Sequence, residues 1–313
     1  MRAFAVDRFG DTGSIREVPE PVPREGQVRV RVEAASVNPA DVAMLGGAYK
    51  DFMEHRFPLV PGFDLGGTVD AIGPAVDGLR VGNLVFGTHG TMVAGAGTFA
   101  EFAVASASTL ARRPPTVDAP FGAALSLAGV SALQLADEAA LQPGDAVLVI
   151  GAAGGIGSIV LQLAAAAGAA PIAVARTVNH AYVRSLGARE AVDYTNEDVV
   201  ETVRATHPEG IAAILDMIGD KEQVNRLAEL VRPGGHVISM LRGADIDHLA
   251  ARGINGVRMT TQVTTEKLKR LAAAVEAGAV RRPQIRSVGL DEAASALTEM
   301  AGGHVRGKIV VLP

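Results

Sequence analysis

A doubly wound α/β parallel sheet joined to a second, β-rich domain is the fold class this sequence predicts, and three observations predict it. The stretch Ala146 to Ala175, AVLVIGAAGGIGSIVLQLAAAAGAAPIAVA, carries no charge and spaces Gly151, Gly154 and Gly157 three residues apart. From about Asp118 to Thr261 the composition is alanine-rich, and short apolar strand candidates alternate with helices. The segment before it alternates instead, as QVRVRV from Gln27 to Val32, and is punctuated at Pro19 to Pro23, Gly73-Pro74 and Pro114-Pro115.

Taken in order, residues 1–117 are expected to form a twisted, largely antiparallel domain. In the doubly wound part, 118–261, the strand candidates after the glycine turn are Pro171 to Ala175, Glu190 to Val192, Ile211 to Leu215 and His236 to Met240. Gly168 and Gly187 are placed to end the helices before two of them. After Pro283 come a strand, a helix from about Asp291 and a final apolar strand, Lys308 to Leu312. This tail, 262–313, is expected to rejoin the first domain.

With 313 residues and 48% hydrophobic content the chain can bury a substantial core in two domains. A net charge of -5 gives no basic footprint, so neither a nucleic acid nor a membrane surface is expected as a partner. The absence of cysteine excludes disulfides, thiolate zinc sites and cysteine nucleophiles. MRAFAVDRFG reaches Asp7 before any long apolar region, which predicts no secretory signal and a cytoplasmic location. The charge-free run could also be read as a transmembrane helix, but Gly154-Gly155 and the Gly168 to Pro171 break interrupt it.

A strand, a glycine turn and a helix bring bare backbone N–H groups and a helix N-terminus to one point, where a pyrophosphate can sit. Gly151, Ala153, Gly154, Gly155, Ile156 and Gly157 are therefore candidate cofactor-binding residues, and the ligand is a dinucleotide. Arg176 closes the second strand, where the adenosine ribose is met. A guanidinium there favours a 2'-phosphate, and a hydrogen bond to a charged group contributes roughly 1.5 to 3 kcal/mol, or about a ten- to hundredfold preference. This predicts NADPH. The competing reading is a solvated arginine at a strand end. Asp216, ending the Ile211 to Leu215 strand, is expected near the cofactor crevice or as a cap for the Gly219 turn.

The segments AASVNPAD (34–41), VPGFDLGGTVDAIG (60–73), GTFAEFA (97–103), GAAGGIG (151–157), SLGAREAVDY (185–194), RPGGHVISM (232–240) and GKIVVL (307–312) occur in an order and spacing that carry a resemblance. The chain resembles the zinc-free quinone oxidoreductases of the medium-chain dehydrogenase/reductase superfamily nearly end to end. The resemblance implies a GroES-like catalytic domain formed by both chain ends, an inserted Rossmann domain, a site in the cleft between them, and a homodimer through the edge of the Rossmann sheet.

Zinc-dependent alcohol dehydrogenases of the same superfamily place a cysteine and a histidine-glutamate pair around the reacting oxygen. This chain has Asn38 near the first position and Phe63-Asp64 at the pair, so no metal is expected and the substrate should already be electron-poor. That favours a quinone or an activated α,β-unsaturated carbonyl.

By resemblance Asn38 lies near the nicotinamide ribose and substrate, and Ser131 near the nicotinamide end. Their bland readings are a turn residue before Pro39 and a helix hydroxyl bonded to its own backbone. Tyr49, in LGGAYK, matches a tyrosine that handles the proton in related enoyl-thioester reductases; equally, it could be a packing residue. Asn38 and Tyr49 are the candidate catalytic residues.

Tyr194 matches a tyrosine near the adenosine phosphate, and His180 stands where many relatives carry a lysine, which weakens the NADPH preference because histidine is mostly neutral at pH 7. Ala43 replaces an active-site tyrosine of some relatives, and Thr91 to Thr98 reads as an insertion. Asp41 most simply caps the helix after Asn38, and His55, His89, His207, His236, His248 and His304 read as structural or solvated.

The leading expectation is an NADPH-dependent, zinc-independent oxidoreductase acting on quinones or enones. An enoyl-thioester or alkenal double-bond reductase is the first alternative. An NADPH-binding sensor or structural protein without turnover is the second.

Overall fold

The QVRVRV alternation becomes the first ten-residue strand, Gln27–Ser36, with Val28, Val30 and Val32 buried while Arg31 and Glu33 face solvent. The alternation stops at Ala34, Ala35 and Ser36, all buried, where the strand pairs with the chain's last strand, Ala34 packs with Ala119, Ala123 and Ala124, and Ala35 enters the core on the other face. This is seen in a computed structural model that describes residues 1–90, 93–240 and 243–313. Thr91 and Met92, which open the expected insertion, lie outside the described residues.

The chain divides into two units: 1–130 with 263–277 and 284–313, and 131–262 with 278–283. The first is the β-rich unit. Among the described residues its main sheet runs in the order Ile285–Gly289, Lys308–Leu312, Gln27–Ser36, Asp64–Ile72, Leu84–Thr88, Leu110–Arg112, with Phe102–Ser106 also paired to Gln27–Ser36. Most pairings are antiparallel, and the chain's last strand pairs with Gln27–Ser36, Val310 facing Ser36 and Val311 facing Ala35. Its core combines Phe4, Val30, Leu65, Phe99, Leu297 and Val311.

The second unit holds a parallel sheet in the order Glu190–Val192, Ala170–Val174, Ala146–Ile150, Ile211–Asp216, Val231–Ser239, Asn255–Arg258. The three strands Ala146–Ile150, Ala170–Val174 and Ile211–Asp216 are almost wholly buried, as sheets covered on both faces require. The chain winds outward in both directions from Ala146–Ile150, so its carboxyl end, beside that of Ile211–Asp216, is the switch point where ligands bind.

Three expectations shift. The last strand of this sheet, Asn255–Arg258, has no apolar pattern to announce it, and the strand expected at His236 begins at Val231. The division of the chain falls after Val130, inside the helix Ala119–Ala139, rather than at 117/118. Ala119, Ala123 and Ala124 pack on Ala34 and Val310, and this holds the first part of the helix to the first unit. Residues 278–283 join the second unit because Gln162 Nε2 donates to Arg281 O at 3.1 Å and Arg281 N donates to Gln162 Oε1 at 2.8 Å. The helix Ala119–Ala139 is long and apolar enough to cross a membrane, and 78% of its apolar window is buried inside the protein.

Candidate active site

The glycine turn is built as its spacing requires. Gly151 follows the first strand with φ +78°, a conformation that L side chains rarely adopt. A Cβ on Gly157 would lie 2.3 Å from Gly151 O and 2.7 Å from Ala152 Cα, so the turn closes only around hydrogen. Ala153 is buried, while Gly154, Gly155 and Ile156 are half-buried. The helix Gly157–Ala166 begins without a side-chain cap at Ile156. Uncapped amides on a ten-residue helix, approached by bare backbone, fit a dinucleotide pyrophosphate.

Around this turn the second unit arranges the remaining expected residues. Arg176 is half-buried just past Ala170–Val174, and among the described residues its guanidinium has no hydrogen-bond or ion-pair partner. The loop after it is held by Asp193, a residue the sequence reading passed over. Its carboxylate accepts from Thr177 N at 2.8 Å, Thr177 Oγ1, Thr195 N at 2.9 Å, Thr195 Oγ1 at 2.6 Å and Asn196 Nδ2 at 2.9 Å. These donors, the Thr177 hydroxyl first, hold its carboxyl far below the usual carboxylate range. Its neighbour Tyr194 is 43% exposed.

His180 is committed differently from a lysine: its Nε2 lies 3.0 Å from Ala175 O and must donate to that carbonyl. Asp216 is fully buried, and its oxygens accept from Ser239 Oγ at 2.6 Å, Gly219 N at 2.6 Å and Ile218 N at 3.1 Å. It thus caps the turn that sets Ile218 beside Gly151, the second of its two expected roles. Ser131 Oγ lies within hydrogen-bond distance of Thr261 Oγ1, at 2.6 Å.

The first unit gathers a second set of polar groups. Asn38 opens the helix Pro39–Leu45, and its N–H donates to Asp41 Oδ2 at 2.7 Å, so Asp41 caps the helix as its position predicted. The Asn38 side chain turns inward, 4% exposed: Nδ2 donates to Asp64 Oδ2 at 2.8 Å and to Ser36 O at 3.2 Å. Its Oδ1 accepts from Lys308 Nζ at 2.6 Å, and the same ammonium donates to Val37 O at 2.9 Å and lies 4.0 Å from Asp64 Oδ2. Asp64 also accepts from Ser36 Oγ at 2.7 Å and Leu127 N at 2.9 Å. Burial pushes the Asp64 carboxyl up and the Lys308 ammonium down. The three donors on the carboxylate and the ammonium's acceptors favour the charged pair.

Burial raises Asp41 to about 7, helped by the Asp64 charge and opposed chiefly by the Asn38 amide. Tyr49 packs against the cluster of Val6, Met44 and Leu59, and burial followed by the Asp41 charge raises its phenol, which keeps it protonated. His89 stacks on Phe63 with ring centroids 5.2 Å apart, and burial lowers it to about 4, so it is neutral at pH 7. Lys308 and Ser36 are the members sequence reasoning missed. A lysine opening an otherwise apolar last strand was the available signal.

Comparison with known proteins matches residues 24–115 to the alcohol dehydrogenase GroES-like domain and 186–311 to a zinc-binding dehydrogenase family. The quinone oxidoreductase of Lama guanicoe is 30% identical over 331 residues, covering 100% of this chain and 97% of that protein. The chloroplastic NADPH-dependent alkenal/one oxidoreductase of Arabidopsis thaliana is 30% identical, covering 100% of this chain and 80% of that protein. The structure of the quinone oxidoreductase from Coxiella burnetii superposes with a TM-score of 0.90 at 28% identity, covering 100% of this chain and 99% of the other.

The zinc in the matched family's description does not fit these residues. The chain has no thiolate, Asp64 accepts from three donors, and the cation already held beside the Asn38 and Asp64 oxygens is the buried Lys308 ammonium. Among the described residues no group of three or more His, Asp or Glu could hold a metal ion. A nicotinamide dinucleotide does fit, at the uncapped helix and its glycine turn. The chain belongs to the quinone oxidoreductase family of the medium-chain dehydrogenase/reductase superfamily, and it is a nicotinamide-dependent oxidoreductase.

Proposed function

We propose that the chain reduces quinones or activated α,β-unsaturated carbonyls with NADPH and without zinc. The observation that carries this reading is the Asn38, Asp64 and Lys308 cluster, in which the cation among the oxygen donors is an ammonium. An ammonium offers no Lewis-acid orbital to polarise a simple ketone, so the acceptor must itself delocalise the charge that arrives with the hydride. Bound NADPH supplies that hydride, two electrons and a proton, and one further proton completes a hydroquinone or a saturated ketone.

Gly151, Ala153, Gly154, Gly155, Ile156 and Gly157 would cradle the pyrophosphate. Arg176, with Tyr194 nearby in the loop that Asp193 organises, would meet the adenosine 2'-phosphate. The unpartnered guanidinium of Arg176 supports NADPH over NADH, as does the NADPH in the name of the Arabidopsis relative. His180 adds little, its Nε2 being spent on Ala175 O. Asp216 and Ser131 would act by shaping the turn and the segment at Thr261. Asn38 and Tyr49 are assigned to the nicotinamide and acceptor end, and homodimerisation through the Asn255–Arg258 sheet edge is part of the same reading.

Steady-state rates with NADPH and NADH against 1,4-benzoquinone, an alkenal and an enoyl thioester test the reading. Turnover of quinone or enone with NADPH preferred supports it. Turnover confined to the thioester would favour the double-bond reductase reading, for which the raised, protonated Tyr49 speaks. NADPH binding without oxidation across the panel would leave a binding protein.

A further inference from the structure

An asparagine side chain has four hydrogen-bonding valences, two N–H donors and two lone pairs on oxygen. In Asn38 three of the four are closed: both Nδ2 protons are given to Asp64 Oδ2 and Ser36 O, and Oδ1 receives Lys308 Nζ. The orientation of the amide is not interchangeable, because an ammonium only donates and an ionised carboxylate only accepts. A flipped amide would set NH2 against ammonium and oxygen against carboxylate. Lys308 is itself fixed, 3% exposed at the start of Lys308–Leu312 and anchored on Val37 O at 2.9 Å.

We propose that Lys308 is a positioning residue: with Asp64 it locks the Asn38 amide so that Asn38 offers a ligand a single acceptor lone pair and no donor. A group bound against Asn38 must then bring an O–H or N–H. A ribose hydroxyl or a carboxamide of the nicotinamide end satisfies that requirement, and the oxyanion developing on a reduced quinone or enone does not. The lock also gives Asp64 its counter-charge within the unit, so the site needs no external cation. The ligand in this argument rests on the reductase reading above; the lock itself does not.

Kinetics of the full chain with NADPH and 1,4-benzoquinone test the proposal in Lys308→Met, Asn38→Ala and the double variant. Lys308→Met should lower kcat at least about tenfold with the benzoquinone KM changed less than about threefold, and adding Asn38→Ala should cost less than about twofold more. A wild-type kcat in Lys308→Met, or losses that multiply in the double variant, would overturn it.

Hydrogen exchange of the Asn38 Nδ2 protons, followed by NMR, reads the lock independently of turnover: protected in the wild type, unprotected in Lys308→Met. Should the wild type oxidise NADPH with no quinone or enone, the functional reading fails and exchange alone decides the lock. Should Lys308→Met not fold, Lys308→Gln replaces it. Should that also fail to fold, Asn38 Nδ2 protons exchanging in the wild type as fast as exposed amides would overturn the proposal, and protected ones would support it.

Discussion

Replacing Asp41 by asparagine isolates a proton that the folded chain holds and the unfolded chain releases. Asp41 is fully buried and its carboxyl is raised from 3.8 to about 7, first by burial. Between those two values the folded state binds about one proton more than the unfolded state. Stability therefore falls as pH rises through that window, by about 1.4 kcal/mol per pH unit, and is flat on either side. The full effect is of order 4 kcal/mol, of which about 3 kcal/mol lies between about pH 5 and pH 8. Asparagine cannot ionise, and its oxygen can still accept the Asn38 N–H now bound to Oδ2 at 2.7 Å. Urea unfolding of both proteins at several pH values gives the difference curve, in which other titrating groups cancel. The Asp41→Asn protein should gain on the wild type by about 3 kcal/mol on going from pH 5 to pH 8. A difference that stays constant over that range would refute a raised Asp41.

Arg176→Ala should weaken NADPH by roughly ten- to hundredfold and NADH by little, measured by cofactor fluorescence titration; equal losses would remove Arg176 from the 2'-phosphate. Tyr49→Phe should slow enone reduction by about tenfold or more while sparing quinones, because a hydroquinone anion can take its proton from solvent; equal rates on both acceptors would leave Tyr49 a packing residue. Gly157→Ala forces a Cβ to 2.3 Å from Gly151 O, so it should cost about 1 to 3 kcal/mol of stability by denaturation and more than about tenfold in NADPH affinity; an unchanged protein would mean that the turn has room.

What the sequence disclosed, and what it hid, follows from the range of the interactions. The glycine turn was legible because its constraints are local: Gly151 and Gly157 meet within one turn, and the flanking strands show their burial as unbroken apolar runs. Asn38 and Tyr49 were legible only through resemblance. So was Asp64 beside them, whereas Lys308, which comes from the far end of the chain, and the Ser36 hydroxyl were not. Tyr194 drew notice by likeness, whereas Asp193 beside it organises the loop and is identified only by its five donors. The division inside Ala119–Ala139 was hidden because an alanine-rich helix presents the same small side chains to whatever it packs against.

The central claim, reduction of an activated acceptor without zinc, is tested most directly by the rate of NADPH oxidation with 1,4-benzoquinone in protein stripped by a chelator and checked for metal content. Metal-free protein should turn over fully and gain nothing on adding zinc. A rate that falls with the metal content and returns with zinc would contradict it.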